Sequence, residues 1–151
     1  MKESSKVLIP LGVNKDGLMT FVAVKRDVLD GITNPAKVSF PGADGYGVDN
    51  LVAELEKRLG LKVTADELVK VGAPVVNHDS VDGKGNAYSE ASQFYRLNRV
   101  LESFSVDLNA IGFGGVLKAS RVALEFHRDR DLLSPPIAAA LEQLPDNVWT
   151  D

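Results

Sequence analysis

Residues 53–61, AELEKRLGL, decide how the middle of this sequence is expected to fold. They complete a run in which apolar residues recur at helical spacing, namely Val48, Leu51, Val52, Leu55 and Leu59. This spacing places the apolar side chains on one face of a helix. Gly60 follows where glycine commonly ends a helix, because it adopts the left-handed conformation without strain. The segment therefore predicts an amphipathic helix that packs its apolar face on a core.

The segments before this helix have strand character. Residues 6–12 (KVLIPLG) and 18–25 (LMTFVAVK) are mostly apolar, and the turn-forming residues 14–17 (NKDG) separate them. This arrangement predicts a β-hairpin, with the first strand bulged or at an edge near Pro10, which has no amide donor. A third short strand is predicted at residues 37–40 (KVSF).

The segments after the helix predict further strands and a final helix. Strands are expected at residues 69–76 and 91–97, joined by a long hairpin tip at 77–86. Residues 117–126 fit a strand or a helix. Ser134 and Pro135 begin a last helix, whose buried residues are predicted to be Ile137, Ala140, Leu141 and Leu144. The order of elements predicts one α/β domain over residues 1–151, with a mixed sheet and helices on its faces.

Composition excludes several classes of function. The 151 residues include no cysteine, which excludes disulfides, zinc–thiolate sites and cysteine nucleophiles. Seventeen basic and twenty-one acidic residues give a net charge of -4, which argues against binding to duplex nucleic acid. There is no apolar run long enough to span a bilayer and no signal-peptide pattern, so we expect a cytoplasmic protein with no membrane partner.

The segment from Phe40 to Leu61 resembles the signature of the Nudix superfamily (nucleoside diphosphate linked to moiety X hydrolases). In that family a strand ending in Pro-Gly leads through a loop to a helix of pattern R-E-U-x-E-E-x-G-U, where U is aliphatic. Here Pro41-Gly42 matches the strand end, Glu54-Leu55 matches E-U, and Gly60-Leu61 matches G-U at the right spacing. The resemblance implies an α/β/α sandwich and a site where glutamates hold Mg²⁺ or Mn²⁺ for hydrolysis of a diphosphate linkage.

The same segment departs from the family pattern at three charged positions. Ala53 stands in place of the arginine, and Lys57 and Arg58 stand in place of the two adjacent glutamates. Glu54 precedes these cations by three and four residues, which is the favourable order for ion pairs on a helix. We therefore interpret the segment as a degenerate Nudix box with no metal site and no required cofactor. It would bind a small anionic, nucleotide-like ligand through Lys57 and Arg58.

Two further residues complete this predicted ligand site. Arg26, at the end of the second strand, resembles a basic position that Nudix proteins turn toward substrate phosphates, and Gly42 lies at the Pro-Gly strand end.

Two alternatives remain open. The first is an active hydrolase in which Glu54 is catalytic and Mg²⁺ or Mn²⁺ is also held by Asp44, Asp49 or a carboxylate of Asp79, Asp82 or Glu90. The second is a structural or partner-binding domain. The resemblance also allows a homodimer.

Overall fold

The computed structural model describes residues 1–26, 33–101 and 113–150. The strands are β1 (Lys2–Leu8), β2 (Pro10–Val13), β3 (Met19–Arg26), β4 (Val38–Ser39), β5 (Gly42–Asp44), β6 (Leu68–Val81), β7 (Ala87–Leu97) and β8 (Phe113–Ser120). The α-helices are α1 (Val48–Leu59), α2 (Arg121–Asp129) and α3 (Pro135–Gln143). Short 3₁₀ turns lie at Ala65–Glu67 and Asp146–Trp149.

The strands form two sheets. One is a mixed four-stranded sheet of order β5-β1-β7-β6, in which β1 runs parallel to β7 and antiparallel to β5. In the other, β3 pairs antiparallel with β2, β4 and β8. The predicted α/β architecture with a mixed sheet is confirmed, and so is the β2–β3 hairpin.

The single strand predicted at residues 6–12 is wrong in one respect, because the chain changes sheet within it. β1 ends at Leu8 in the mixed sheet and β2 begins at Pro10 in the antiparallel sheet. The β2–β3 register shifts between Pro10 and Gly12, where the missing amide of proline cannot complete the ladder. β1 is therefore an interior strand, and the expected irregularity at Pro10 belongs to β2.

Both faces of β3 are buried. Phe21 and Ala23 belong to a core cluster that includes residues of α3, whereas Val22 and Val24 belong to a second cluster with α1. Because successive side chains of a strand point to opposite faces, helices cover both sides of the sheets. Trp149 is 3% exposed in the first cluster and packs edge-on against Phe21, with ring centroids 6.0 Å apart.

Helix α1 ends as predicted. Leu51, Leu55 and Leu59 are buried against the core. Gly60 has φ of 66° and its amide donates to Glu56 O at 3.0 Å, while the Leu61 amide donates to Leu55 O at 3.2 Å. These bonds satisfy carbonyl groups that the helix end would otherwise leave without donors.

The predicted long hairpin tip at 77–86 is also wrong, because β6 continues to Val81. The Asn77 side chain accepts hydrogen bonds from the amides of Asp79 and Ser80, at 3.0 and 3.1 Å, within an irregular stretch of the β6–β7 register. The side chain thus satisfies amides that the ladder leaves unpaired, and pairing resumes beyond them.

The ambiguous segment 117–126 contains both kinds of structure. The strand β8 ends at Ser120, whose hydroxyl accepts from the Ala123 amide at 3.2 Å and caps α2. Residues 102–112 of the wider ambiguous region lie outside the described residues. The final helix is confirmed over Pro135–Gln143, and Ile137, Ala140, Leu141 and Leu144 are all buried. No helix in the described ranges is both long and apolar enough to cross a membrane.

Candidate functional site

A polar pocket of about 450 Å³ lies between β1, β3, β5 and α1. Its cationic side chains are Lys2, Lys6, Arg26 and Arg58. Its acidic side chains are Asp44, Glu54 and Glu90. The described lining thus carries a small excess of positive charge in a chain whose net charge is -4.

Strand β1 supplies one wall of this pocket. Lys2, Ser4 and Lys6 all line it, because residues two apart in a strand point to the same face. Sequence reasoning missed these three residues, although the alternation K-x-S-x-K was visible at positions 2–6. This alternation of polar residues at the start of an apolar strand is the signal that could have identified them as residues of one polar face.

The Lys6 ammonium is half-buried and makes no hydrogen bond or ion pair with the residues that the structure describes. Burial lowers the pKa of Lys6, Glu90 opposes this effect, and the charges of Arg26 and Lys2 reinforce it. Lys6 is therefore a partly buried cation, with Glu90 as its acidic neighbour, and it lines a pocket that has room for an anion.

Glu90 is buried and its carboxylate is held by hydroxyl groups. Ser4 Oγ donates to Oε2 at 2.6 Å and Ser80 Oγ donates to Oε1 at 2.8 Å. Burial would raise the pKa of Glu90, but the charge of Lys6 and these two hydrogen bonds outweigh it and hold the pKa below its ordinary value. Glu90 is thus a fixed counter-charge to Lys6.

Arg26 lies at the end of β3 and is positioned by Thr33. Its Nε donates to Thr33 O and its Nη2 donates to Thr33 Oγ1, both at 3.1 Å. Burial lowers the pKa of Arg26, and the nearby charge of Arg58 lowers it further. Two guanidinium groups therefore lie close enough at one side of the pocket to repel each other.

Helix α1 supplies the opposing wall through Glu54 and Arg58, which lie one turn apart. Arg58 Nε donates to Glu54 Oε2 at 2.5 Å. Lys57 is exposed and is not among the described residues that line the pocket. The structure thus brings Arg26, Glu54 and Arg58 together and leaves Lys57 outside.

Gly42 also lines the pocket, and its lack of a side chain lets β5 approach β1. A Cβ atom at this position would lie 2.2 Å from Ser5 O and 2.9 Å from Lys6 Cδ. Gly42 therefore shapes the wall that carries Lys6.

Of the carboxylates considered for an alternative metal site, some line the pocket and others do not. Asp44 and Glu90 line the pocket, whereas Asp49, Asp79 and Asp82 are not among the lining residues. Within residues 1–26, 33–101 and 113–150, no group of three or more histidine or acidic residues could hold a metal ion.

Comparisons with known proteins identify the fold. No protein-family model matches the sequence, and no curated protein is significantly similar to it. The structure is similar to a NUDIX hydrolase from Alicyclobacillus acidocaldarius, with a TM-score of 0.64, 11% identity, and coverage of 94% of this chain and 90% of that chain.

Two other solved structures are informative. The NUDIX domain of Shewanella oneidensis NrtR, solved with ADP ribose, has a TM-score of 0.59 and 11% identity over 93% of this chain and 84% of that chain. A MutT/nudix family protein from Enterococcus faecalis has a TM-score of 0.51 and 11% identity over 78% of this chain, which spans only 42% of the other. The chain has the Nudix fold, as its resemblance implied.

Proposed function

We propose that this Nudix-fold protein binds a small nucleotide-like or diphosphate-containing anion in the pocket between β1, β3 and α1, with weak or no hydrolysis. The observation that carries the proposal is Lys6, a half-buried ammonium that lines the pocket and has no hydrogen-bond partner among the described residues. Burial disfavours the charged form of Lys6 and the neighbouring cations add to that effect, so an anionic ligand in the pocket would stabilise the charged form.

The other cations support the same function. Arg26 and Lys2 add positive charge beside Lys6, and Arg58 adds more from α1. Guanidinium and ammonium groups around a small polar pocket favour phosphate groups, which accept charge-assisted hydrogen bonds. The ADP ribose bound to the NrtR domain is a molecule of this class, so it is a reasonable first ligand to test.

The Mg²⁺ or Mn²⁺ that the fold family implies does not fit these donors. Glu54 is paired with Arg58, and both oxygens of Glu90 already accept hydrogen bonds from hydroxyl groups. A hard cation needs several carboxylate or carbonyl oxygens that can turn toward it. We therefore assign this site to anion binding by side chains alone.

Calorimetric titration with ADP ribose and ADP, in buffer containing EDTA, tests the proposal. We expect binding without a divalent metal, and Arg58→Glu should weaken it by at least about tenfold, which corresponds to about 1.4 kcal/mol. Lys57→Glu is the matched control, because it makes the same charge change at the adjacent, exposed residue. Salt screens exposed charges, so this variant should bind within about threefold of the wild type.

Two results would contradict the proposal. One is the absence of binding by every anionic nucleotide tried in EDTA. The other is phosphate release that requires Mn²⁺ and stops in Glu54→Gln, which would establish the hydrolase alternative instead.

A further inference from the structure

Arg26 reaches the pocket from the end of β3, and two hydrogen bonds orient its guanidinium group. Its Nε and Nη2 donate to the carbonyl oxygen and the hydroxyl of Thr33, both at 3.1 Å. A long side chain loses rotamer freedom when it is held in one orientation, and these bonds offset that loss. Burial and the neighbouring charge of Arg58 both lower the pKa of Arg26, so the two guanidinium groups repel each other. The orientation of Arg26 therefore depends on where Thr33 is held.

The next residue, Asn34, is bound to β6 through both its backbone and its side chain. Its amide donates to Val81 O at 2.9 Å, and its Oδ1 accepts from the Val81 amide at 2.8 Å. Asn34 thus pairs with both backbone polar groups of Val81, as a residue of a neighbouring strand would. It is 8% exposed, and hydrogen bonds of buried groups are costly to leave unmade. These bonds therefore fix the backbone next to Thr33 relative to β6.

Asn34 is also connected to β3. Its carbonyl oxygen accepts from the Lys37 amide at 3.4 Å, and Lys37 O accepts from the Arg26 amide at 2.8 Å. The chain thus turns back from Asn34 to the same strand end that carries Arg26. Asn34 therefore connects β6 to the strand end from which the Arg26 side chain extends.

The backbone conformation at position 34 suits asparagine. Asn34 has φ of 46°, a left-handed value that asparagine adopts more readily than most other residues with a side chain. Glycine would keep this conformation and the amide group, and would remove only the side-chain bond to Val81. Asn34→Gly can therefore separate the role of the side chain from that of the turn.

We infer that Asn34 is a positioning residue of the pocket, which holds Thr33 against β6 and thereby holds the Arg26 guanidinium in place for an anion. Arg26, Thr33 and Asn34 all line the pocket. This inference rests on the proposed function, because it names the residue that prepares one cation of that same site. A cation that is already held in place loses less conformational freedom when the ligand binds, and this favours binding.

Hydrogen exchange at arginine Nε–H groups, followed by nuclear magnetic resonance in the ligand-free protein, tests how Arg26 is held. We expect Asn34→Gly to speed exchange at Arg26 Nε by at least about tenfold, because the bond that this group donates opens more often. Arg121 Nε, which is hydrogen-bonded within α2, is the internal reference and should be unchanged. Asn34→Asp keeps an oxygen acceptor for the Val81 amide and should retain the slow exchange of the wild type.

Calorimetric titration with ADP ribose, in buffer containing EDTA, measures the consequence for anion binding. In the otherwise wild-type chain, Asn34→Gly should weaken binding by about fivefold, because Arg26 must then be ordered by the ligand. In the Arg26→Ala background, the same substitution should change the affinity by less than about twofold, because the side chain that it positions is absent. A residue that only stabilised the fold would weaken binding equally in both backgrounds.

Three results would overturn the inference. The first is exchange at Arg26 Nε that is unchanged in Asn34→Gly. The second is exchange that rises equally at Arg26 and Arg121, which would indicate general loosening of the protein. The third is an equal loss of affinity with and without the Arg26 side chain. If the wild type binds no anion, the proposed function fails, and the exchange measurement still decides whether Asn34 holds Arg26.

Discussion

Arg58 donates a hydrogen bond to Glu54, one helical turn earlier, and both side chains line the same pocket. Both are about one-third exposed, so the pair contributes only about 0.3–0.5 kcal/mol to stability. The pair has a larger effect on the capacity of Glu54 to bind a metal ion. Glu54 matches an acidic position of the Nudix signature, and here it is paired with Arg58 of the same helix. A metal ion that bound to Glu54 would have to displace Arg58.

Exchanging the two cations of α1 for acids should create affinity for Mn²⁺. In the double variant Lys57→Glu/Arg58→Glu, new carboxylates follow Glu54 by three and four residues, on neighbouring positions of the helix surface. We expect Mn²⁺ to bind at least about tenfold more tightly than to the wild type, as measured by the electron paramagnetic resonance signal of free Mn²⁺. Lys57→Glu alone is the control and should gain little, and equal Mn²⁺ affinity of wild type and double variant would refute the interpretation.

Gly42→Ala should destabilise the protein. The added Cβ would lie 2.2 Å from Ser5 O, a backbone atom that can move only if β1 moves. We expect the free energy of unfolding to fall by about 1–3 kcal/mol, measured by denaturant titration. Gly115→Ala is the matched control, because its Cβ would meet no atom of the described residues within 4 Å. A loss of equal size in both variants would show that the close approach at Gly42 is not the cause.

Glu90→Gln should reduce stability at neutral pH and change its dependence on pH. The folded protein holds the pKa of Glu90 below its ordinary value of 4.5, so the ionised carboxylate stabilises the fold above that pH. This contribution is lost as the pH falls below 4.5 toward the folded-state pKa. We expect the variant to be less stable at neutral pH by about 1–3 kcal/mol.

Below the ordinary pKa of Glu90, the stability curves of the variant and the wild type should converge. Chemical denaturation across this pH range measures both effects. Glu56→Gln, on the exposed surface of α1, should stay within about 0.5 kcal/mol of the wild type throughout. Curves that remain parallel through the acid range would contradict the role assigned to Glu90.

Gln143→Ala should increase self-association. Among the strands that the structure describes, β6 is the last of its sheet, and the Gln143 amide pairs with it as a neighbouring strand would. Its Nε2 donates to Val76 O at 2.9 Å and its Oε1 accepts from Val76 N at 3.2 Å. Removing this cover exposes backbone groups that a second chain can pair with. Light scattering on concentrated samples measures the change, with the adjacent exposed Glu142→Ala as control; equal scattering of the two variants would count against it.

The parts of the fold that were predictable depend on local signals. The leucines of α1 and the glycine after it define a helix with a fixed face, so Glu54 and Arg58 could be placed together from sequence. The change of sheet at Pro10 was not predictable, because a continuous apolar run does not reveal which sheet each half joins. The continuation of β6 through the irregular stretch at Asn77 was not predicted, because polar residues in a strand resemble those of a turn.

The proximity of Glu90 to the residues of β1 could not be predicted from the sequence, for a different reason. Lys2 lies opposite Glu90 only because β1 and β7 pair in parallel, at a sequence separation that no local pattern encodes. Ser4, from the same strand, then reaches the Glu90 carboxylate. Such contacts follow from the three-dimensional arrangement of strands, and a single sequence does not determine which distant strand a given strand will join.

Trp149 also gives the protein a built-in optical probe. It is the one tryptophan of the sequence, it lies buried beside Phe21 and Phe40, and it is not among the described residues that line the pocket. Its fluorescence should therefore shift to the red when the core opens, yet stay constant when a ligand enters or leaves the pocket. A single emission spectrum can thus distinguish a variant that has lost its fold from one that has lost its ligand.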